Sequence, residues 1–268
     1  MNHPRYSVSW SAQDTITKYL RLGVEFNLID VGIASSIPRD YPNLYRYNLM
    51  KGTKNFYKEP AMSREICEKA IEIGMNFIGE RAHEDYVFSN GEMGIGNTST
   101  SSAVLYSLTK ANIDDVVGYG GGLTDEALAY KKKIIIDSCQ KYNTFEMDVV
   151  DVLSHVGGLD IAAMVGLYLG ALKYKKLILV DGFISAVAAL AAVRINPEVK
   201  NHILLTHLSE EPGMKVVLSA LGEKAFLDMN MRLGEGTGAV LAYPIIECAL
   251  DMANTMKTPK EVYELFEK

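Results

Sequence analysis

Hydrophobic and polar positions divide the chain near residue 60. Before it no sustained core pattern is present: "VSWSAQDTITKYLRLGVEF" can form one helix, "FNLIDVGIA" reads as a strand, and "SSIPRDYPNLYRYNLMKGTKNFYKEP" is a turn-rich connector. Beyond it, "SREICEKAIEIGMNFIGERA" places Ile66, Ala70, Ile73 and Phe77 at steps of four, three and four, which is one apolar face of a helix, with Ser63 as its N-cap. From there short apolar runs alternate with helical stretches. "DYVFSNGEMG", "DDVVGYGGG", "KLILVDGF" and "HILLTHLSEEPG" read as strands running into loops, while "NTSTSSAVLYSLTKA", "TDEALAYKKKIIIDSCQKY", "ISAVAALAAVRI" and "MKVVLSALG" read as helices. The runs "LILV" and "ILL" lack alternation, as expected of strands covered on both faces. The pattern predicts an α/β fold, a three-layer parallel sheet with helices on both faces (Rossmann-like). Residues 1–60 form a small helical and irregular extension to it, and 61–268 the main domain.

In such sheets the carboxyl ends of the strands share one edge, where ligands bind. "NGEMGIGNTS", "GYGGGLTDE", "DGF", "THLSEEPG" and "GEGTGA" all follow apolar runs, so they are expected to converge on one pocket. Composition narrows what that pocket serves. The 268 residues are 48% hydrophobic and carry a formal net charge of -6, which gives no electrostatic case for nucleic acid. Cys67, Cys139 and Cys248 match no metal spacing, fall in predicted helices and read as buried thiols of a reducing cytoplasm. None of the five histidines pairs with another at helical ligand spacing, so no metal is expected. The start "MNHPRYSVSW" has no apolar leader core, and "ISAVAALAAV" is too short to span a bilayer, so the expectation is a cytoplasmic protein without membrane contact.

Each glycine-rich string has two readings. In "GEMGIGNTS", Gly91, Gly94 and Gly96 let backbone approach a ligand, and Asn97, Thr98 and Ser99 open a helix whose free N–H groups favour an anion; a tight turn with ordinary caps explains it equally well. "GEGTGA" fits a loose dinucleotide fingerprint, but Glu235 would repel a pyrophosphate laid on that turn and is better placed as a proton acceptor. Lys131, Lys132 and Lys133 fit a solvated face, with Lys131 near enough to the "GYGGGL" loop to reach back to a phosphate. Asp181 is either a helix cap or a ligand contact, His207 a satisfied polar residue, and Ser209 and Glu211 candidates for hydroxyls or a phosphate.

Taken in order, "IDVGIA", "KGTKNFYKEPAM", "GEMGIGNTS", "GYGGGL" with "DEALAYK", "GGLDIAA", "VDGFISAVAAL", "SEEPG" and "MRLGEGTGA" resemble the nicotinate-nucleotide:dimethylbenzimidazole phosphoribosyltransferase family. The resemblance implies transfer of phosphoribose from nicotinate mononucleotide to an aromatic base in cobamide assembly, with no cofactor and as a homodimer. It implies Glu235 as general base, its affinity for a proton raised by burial, and Glu92 as a second carboxylate. It places Met93, Gly94, Gly96, Asn97, Thr98, Gly120, Gly121, Gly122, Lys131, Asp181, Ser209, Glu211 and Gly236 around the substrates. The family's N-terminal portion, with an Asp-His-Gly-Val string, has no counterpart here, and Tyr119 and Gly121 stand where the family has Arg and Thr. A non-catalytic binder and a chain that needs a companion subunit are therefore the alternatives.

Overall fold

The computed structural model describes residues 24–35, 37, 41–83 and 87–266. Most of the helix expected over 8–26 lies outside them. Strands β1 (Leu28–Asp30) and β2 (Leu44–Arg46) pair parallel ahead of helix α1 (Arg64–Arg81), whose N-cap is Ser63, accepting the Ile66 N–H at 3.2 Å. Residues 88–205 supply a second parallel sheet, β3 (Phe88–Ser89), β4 (Ile178–Val180) and β5 (Ile203–Leu205), with β4 central. A third pairs β6 (His207–Ser209) with β7 (Leu227–Met231). Thr206 joins the last two sheets: its N–H reaches Val180 O at 3.1 Å and its own carbonyl takes the Leu227 N–H at 3.0 Å. The segment 203–209 is thus bordered by β4 on one side and β7 on the other, in one parallel arrangement. The strands are shorter than the apolar runs suggested.

The helices between them are α2 (Asn97–Thr109), α3 (Ile113–Val116), α4 (Asp125–Tyr142), α5 (Val149–Val156), α6 (Leu159–Lys173), α7 (Phe183–Ile195), α8 (Gly213–Leu221), α9 (Thr237–Thr255) and α10 (Pro259–Phe266). "DDVV" is a correction: all of it but Val117 is helical in α3, because Asn112 caps the helix by accepting the Asp114 N–H and Asp114 and Asp115 suit the positive end of a helix. Helices α5 and α6 are absent from the hydrophobic pattern: α6 because its near-continuous apolar sequence gives no clear one-sided face, α5 because its one apolar face spans only eight residues; from Phe183 to Ala192 α7 is buried all round. Helix α6 packs backbone to backbone on α1, and a Cβ added at Gly166 would stand 1.9 Å from Ile71 O. Residues ahead of 61 join this body, since Val31 lies in the core and Leu49, Met50 and Phe56 pack against it. Cys67 and Cys139 are buried, but Cys248 is exposed, on the outer part of α9. No described helix is long and apolar enough to cross a membrane.

Candidate active site

The five strings meet at one edge of the sheet. Gly91, just past β3, touches the turn after β7 so closely that an added Cβ would lie 2.3 Å from the backbone of Glu235 and Gly236. That turn is left-handed over three successive residues, Gly234 (φ 77°), Glu235 (φ 60°) and Gly236 (φ 77°). Glycine adopts this conformation without strain and glutamate does not, so the flanking glycines hold a half-buried Glu235 in a backbone it would not choose.

Asp181, at the end of β4, lies beneath the turn and is buried. Its Oδ2 accepts the Gly236 N–H at 3.0 Å, and Oδ1 accepts those of Gly238 and Ala239 at 2.8 and 3.2 Å. Both oxygens are therefore committed to the first turn of α9, the helix-capping reading of this residue carried out on a distant helix. His207, buried beside it, places Nδ1 3.3 Å from Thr206 Oγ1 and 3.9 Å from Asp181 Oδ1. Burial pushes the His207 imidazole below its ordinary range and Asp181 opposes that; burial pushes Asp181 up, opposed by His207 and the backbone donors.

Glu92 stands across from Glu235. Its Oε1 would be 2.8 Å from a Cβ at Gly234, and its Oε2 accepts a hydrogen bond from Asn97 Nδ2. The same amide nitrogen reaches Asp160 Oδ2 at 3.0 Å. Burial lifts the Glu92 carboxyl to about 8; Asn97 opposes the shift, and the charges of Asp160, Asp181 and Glu235 add to it. Met93 and Ile95 are exposed on this loop, and Gly96 (φ 81°) starts α2 without a side-chain cap.

Lys131 is the one of the three consecutive lysines that turns inward. Its Nζ donates to Thr98 Oγ1 at 3.1 Å and Gly118 O at 3.2 Å, while Lys132 pairs with Asp114 and Lys133 with Asp137. Burial lowers the Lys131 pKa, with Glu211 opposing. Glu211 lies under the glycine loop: a Cβ at Gly118 would meet its Oε2, and the Gly120 backbone bonds to its carboxylate. Burial raises Glu211, against the pull of Lys131 and Arg232. Gly121 and Gly122 face open space. Ser209 is buried, and its Oγ accepts the Glu211 N–H at 3.4 Å. A groove of about 1010 Å³ lined by Ser209, Glu211, Lys215 and Asp228 opens on the flank of this edge, with neither Glu92 nor Glu235 in its lining. Sequence reasoning missed Asp160; the available signal was an acid after the glycine pair of "GGLDIAA", at the start of an apolar helix.

A family model described as phosphoribosyltransferase matches residues 19–262. The chain belongs to this phosphoribosyltransferase family. Relatives of the chain include the nicotinate-nucleotide–dimethylbenzimidazole phosphoribosyltransferase of Clostridium perfringens, 42% identical over 240 residues, which are 89% of this chain and 66% of that protein. The enzyme of the same name from Acetivibrio thermocellus is 44% identical over 237 residues, 88% of this chain and 67% of the relative. The chain spans about two thirds of the length of these curated relatives. Among solved structures, CobT from Thermus thermophilus superposes with a TM-score of 0.88 at 32% identity, covering 94% of this chain and 74% of that one. The layered parallel fold expected from the hydrophobic pattern is the fold of this phosphoribosyltransferase family.

Proposed function

We propose that the chain transfers phosphoribose from nicotinate mononucleotide to an aromatic nitrogen base such as 5,6-dimethylbenzimidazole, releasing nicotinate, in assembly of the cobamide nucleotide loop. The observation that carries this reading is the meeting of two carboxyl-bearing glycine loops, Glu92 beside Gly234 and Gly91 against Glu235, within a family whose relatives are named for that transfer. In the reaction the bond from the ribose anomeric carbon to the pyridinium nitrogen breaks, and its electron pair leaves with nicotinate as a neutral pyridine ring. The azole nitrogen attacks the opposite face of that carbon, giving the α-riboside, and the azole N–H proton passes to Glu235 as general base. Glu92, raised to about 8, enters this exchange carrying a proton at neutral pH and orients the base by donating a hydrogen bond. The uncapped start of α2, with Thr98 and the Lys131 ammonium beside it, is the proposed seat of the 5′-phosphate, an arrangement of free backbone N–H groups and positive charge that suits an anion. Gly120, Gly121 and Gly122 admit it from the neighbouring loop.

We place the enzyme in the cytoplasm as a homodimer. The buried free thiols of Cys67 and Cys139 fit a reducing compartment, and α9 and α10 expose Leu250, Met252, Met256, Tyr263 and Phe266, an apolar surface suited to cover by a second copy. The deciding experiment incubates the purified protein with nicotinate mononucleotide and dimethylbenzimidazole and follows nicotinate release beside Glu235→Gln. Release by the parent and a loss of about 100-fold or more in the variant is expected, the usual scale of general-base catalysis. Nucleotide binding with no release from the parent would overturn the reading.

A further inference from the structure

The Asp160 carboxylate, at the second residue of α6, has no part in the reaction as written. It is nonetheless joined to the site by one atom. Asn97 Nδ2 carries two hydrogens, and it has two carboxyl acceptors, Glu92 Oε2 and Asp160 Oδ2. Glycines on two loops leave room for this arrangement: a Cβ at Gly94 would stand 2.8 Å from Asp160 Oδ2, and one at Gly158 2.4 Å from its Oδ1. The backbone N–H groups of Asp160 and Ile161 also bond to the same carboxyl, which anchors it to its helix. From this fixed point the order of contacts runs Asp160, Asn97, Glu92, Gly234, Glu235.

We propose that Asp160 is a positioning residue for Glu92, acting through Asn97: it fixes the plane of the amide so that one N–H is aimed at Glu92 Oε2 and the carboxyl is held against the turn that carries Glu235. The inference rests on the reading of Glu92 as part of the phosphoribosyl-transfer site. An amide bound at one hydrogen alone is free to rotate about its terminal torsion; bound at both, it presents a single edge. Asp160 in its ionised form also acts on Glu92 by charge; burial raises its own carboxyl, opposed by the Asn97 amide and the Ile161 and Asp160 N–H groups. The acidic groups facing Glu92 are Asp160 from α6, Asp181 from the end of β4 and Glu235 from the turn after β7, and each favours a proton on Glu92, while the Asn97 donor disfavours it. The two members of the relay therefore move the Glu92 titration in opposite directions.

That opposition is the test, and turnover is not needed to read it. The Glu92 carboxyl is followed by carbon-13 NMR in protein labelled at glutamate, with Glu92→Gln identifying its signal. Asp160→Asn, which removes the charge, is expected to lower the Glu92 midpoint by about one unit, and Asn97→Ala to raise it. With nicotinate release as the second readout, Asp160→Asn is expected to lower kcat by about 10-fold, in the range for loss of a supporting hydrogen bond, while KM for nicotinate mononucleotide stays within about twofold. A Glu92 midpoint unmoved in either folded variant overturns the proposal, as does a fall in melting temperature with kcat and midpoint unchanged, which would leave Asp160 only an anchor of α6. Should Asp160→Asn fail to fold, Asn97→Ala decides alone. Should the parent release no nicotinate, the reaction assigned above falls and the titration still judges the relay.

Discussion

The loop over 91–97 and the turn over 234–238 share one local plan: both follow a strand, both place a glutamate next to glycine, and both enter a helix through a left-handed glycine without a side-chain cap from that residue. Their helix ends are treated differently. At α9 the buried carboxylate of Asp181 accepts the N–H groups of Gly236, Gly238 and Ala239, so the positive end of that helix is already occupied by an anion. At α2 the neighbouring groups are Thr98 and the Lys131 ammonium, which leave that end for an anion from outside. The glutamates differ in the reverse sense. Glu92 is tied to Asn97 in ordinary backbone, whereas Glu235 is held in a left-handed one between two glycines. On the proposed reading, the first loop receives the phosphate and keeps its carboxyl fixed, while the second, its helix end filled from within, supplies the general base.

The largest effect that would break this division is at Asp181. Asp181→Ala leaves three buried N–H groups without their acceptor, and a loss of about 3 kcal/mol or more in urea unfolding is expected, together with loss of nicotinate release. A variant with full stability would mean that the α9 end is not closed from within. Next comes Gly91→Ala. The added methyl would meet backbone rather than a flexible side chain, so the two loops must separate, and a fall in kcat of about 100-fold is expected for a displacement near 1 Å. An active Gly91→Ala enzyme would show that the contact between the loops is not needed.

How much of this could be read from the chain alone differs between the two loops. Runs such as "LILVDGF" and the 4-3-4 spacing of α1 report burial directly, so β1, β3, β4, β5 and most helices were legible, whereas β2 lies in a stretch read as a turn-rich connector and "DDVV" reads wrongly as a strand. The gathering of glycine strings at one edge was legible too, because parallel strands all deliver their ends there. Helix α6 was not, since a helix buried on most sides has no polar face to give it away, and α5 was not because eight residues carry too short a pattern. Nor was the commitment of Asp181: "DGF" states that an acid follows a strand, but its partners lie more than fifty residues on, and only the packed sheet brings them together. The Asn97 bridge to Asp160 escaped for the same reason, a contact between residues 63 positions apart. The motif points to Glu235 as a proton acceptor, while the lift of Glu92 comes from burial and from the charges of Asp160, Asp181 and Glu235, a property of surroundings rather than of local sequence.

A smaller effect sharpens the assignment of the α2 end. Lys131→Ala is expected to raise KM for nicotinate mononucleotide by about 10-fold, the scale of one hydrogen bond to a charged group, with a lesser effect on kcat. Lys132→Ala, in which the lost partner is Asp114 at the surface, should leave KM within about twofold. Equal effects from the two lysines would remove the phosphate from this position.

The last effect is on stability against pH, and it reads Glu92 without substrate. Glu92 has its folded value raised to about 8 from the ordinary 4.5. Between those values the unfolded chain loses this proton while the folded chain keeps it, so the folded state binds more protons and the contribution of Glu92 falls as pH rises through that window. Glu92→Gln removes the titration. The melting temperature of the variant relative to the parent should therefore increase steadily from about pH 5 to pH 8 and level off beyond, as measured by thermal unfolding in matched buffers. A constant difference across the window would mean that Glu92 is ionised at neutral pH. The proton would then have no place on the α2 loop, and the two loops would present like-charged carboxylates to the incoming base.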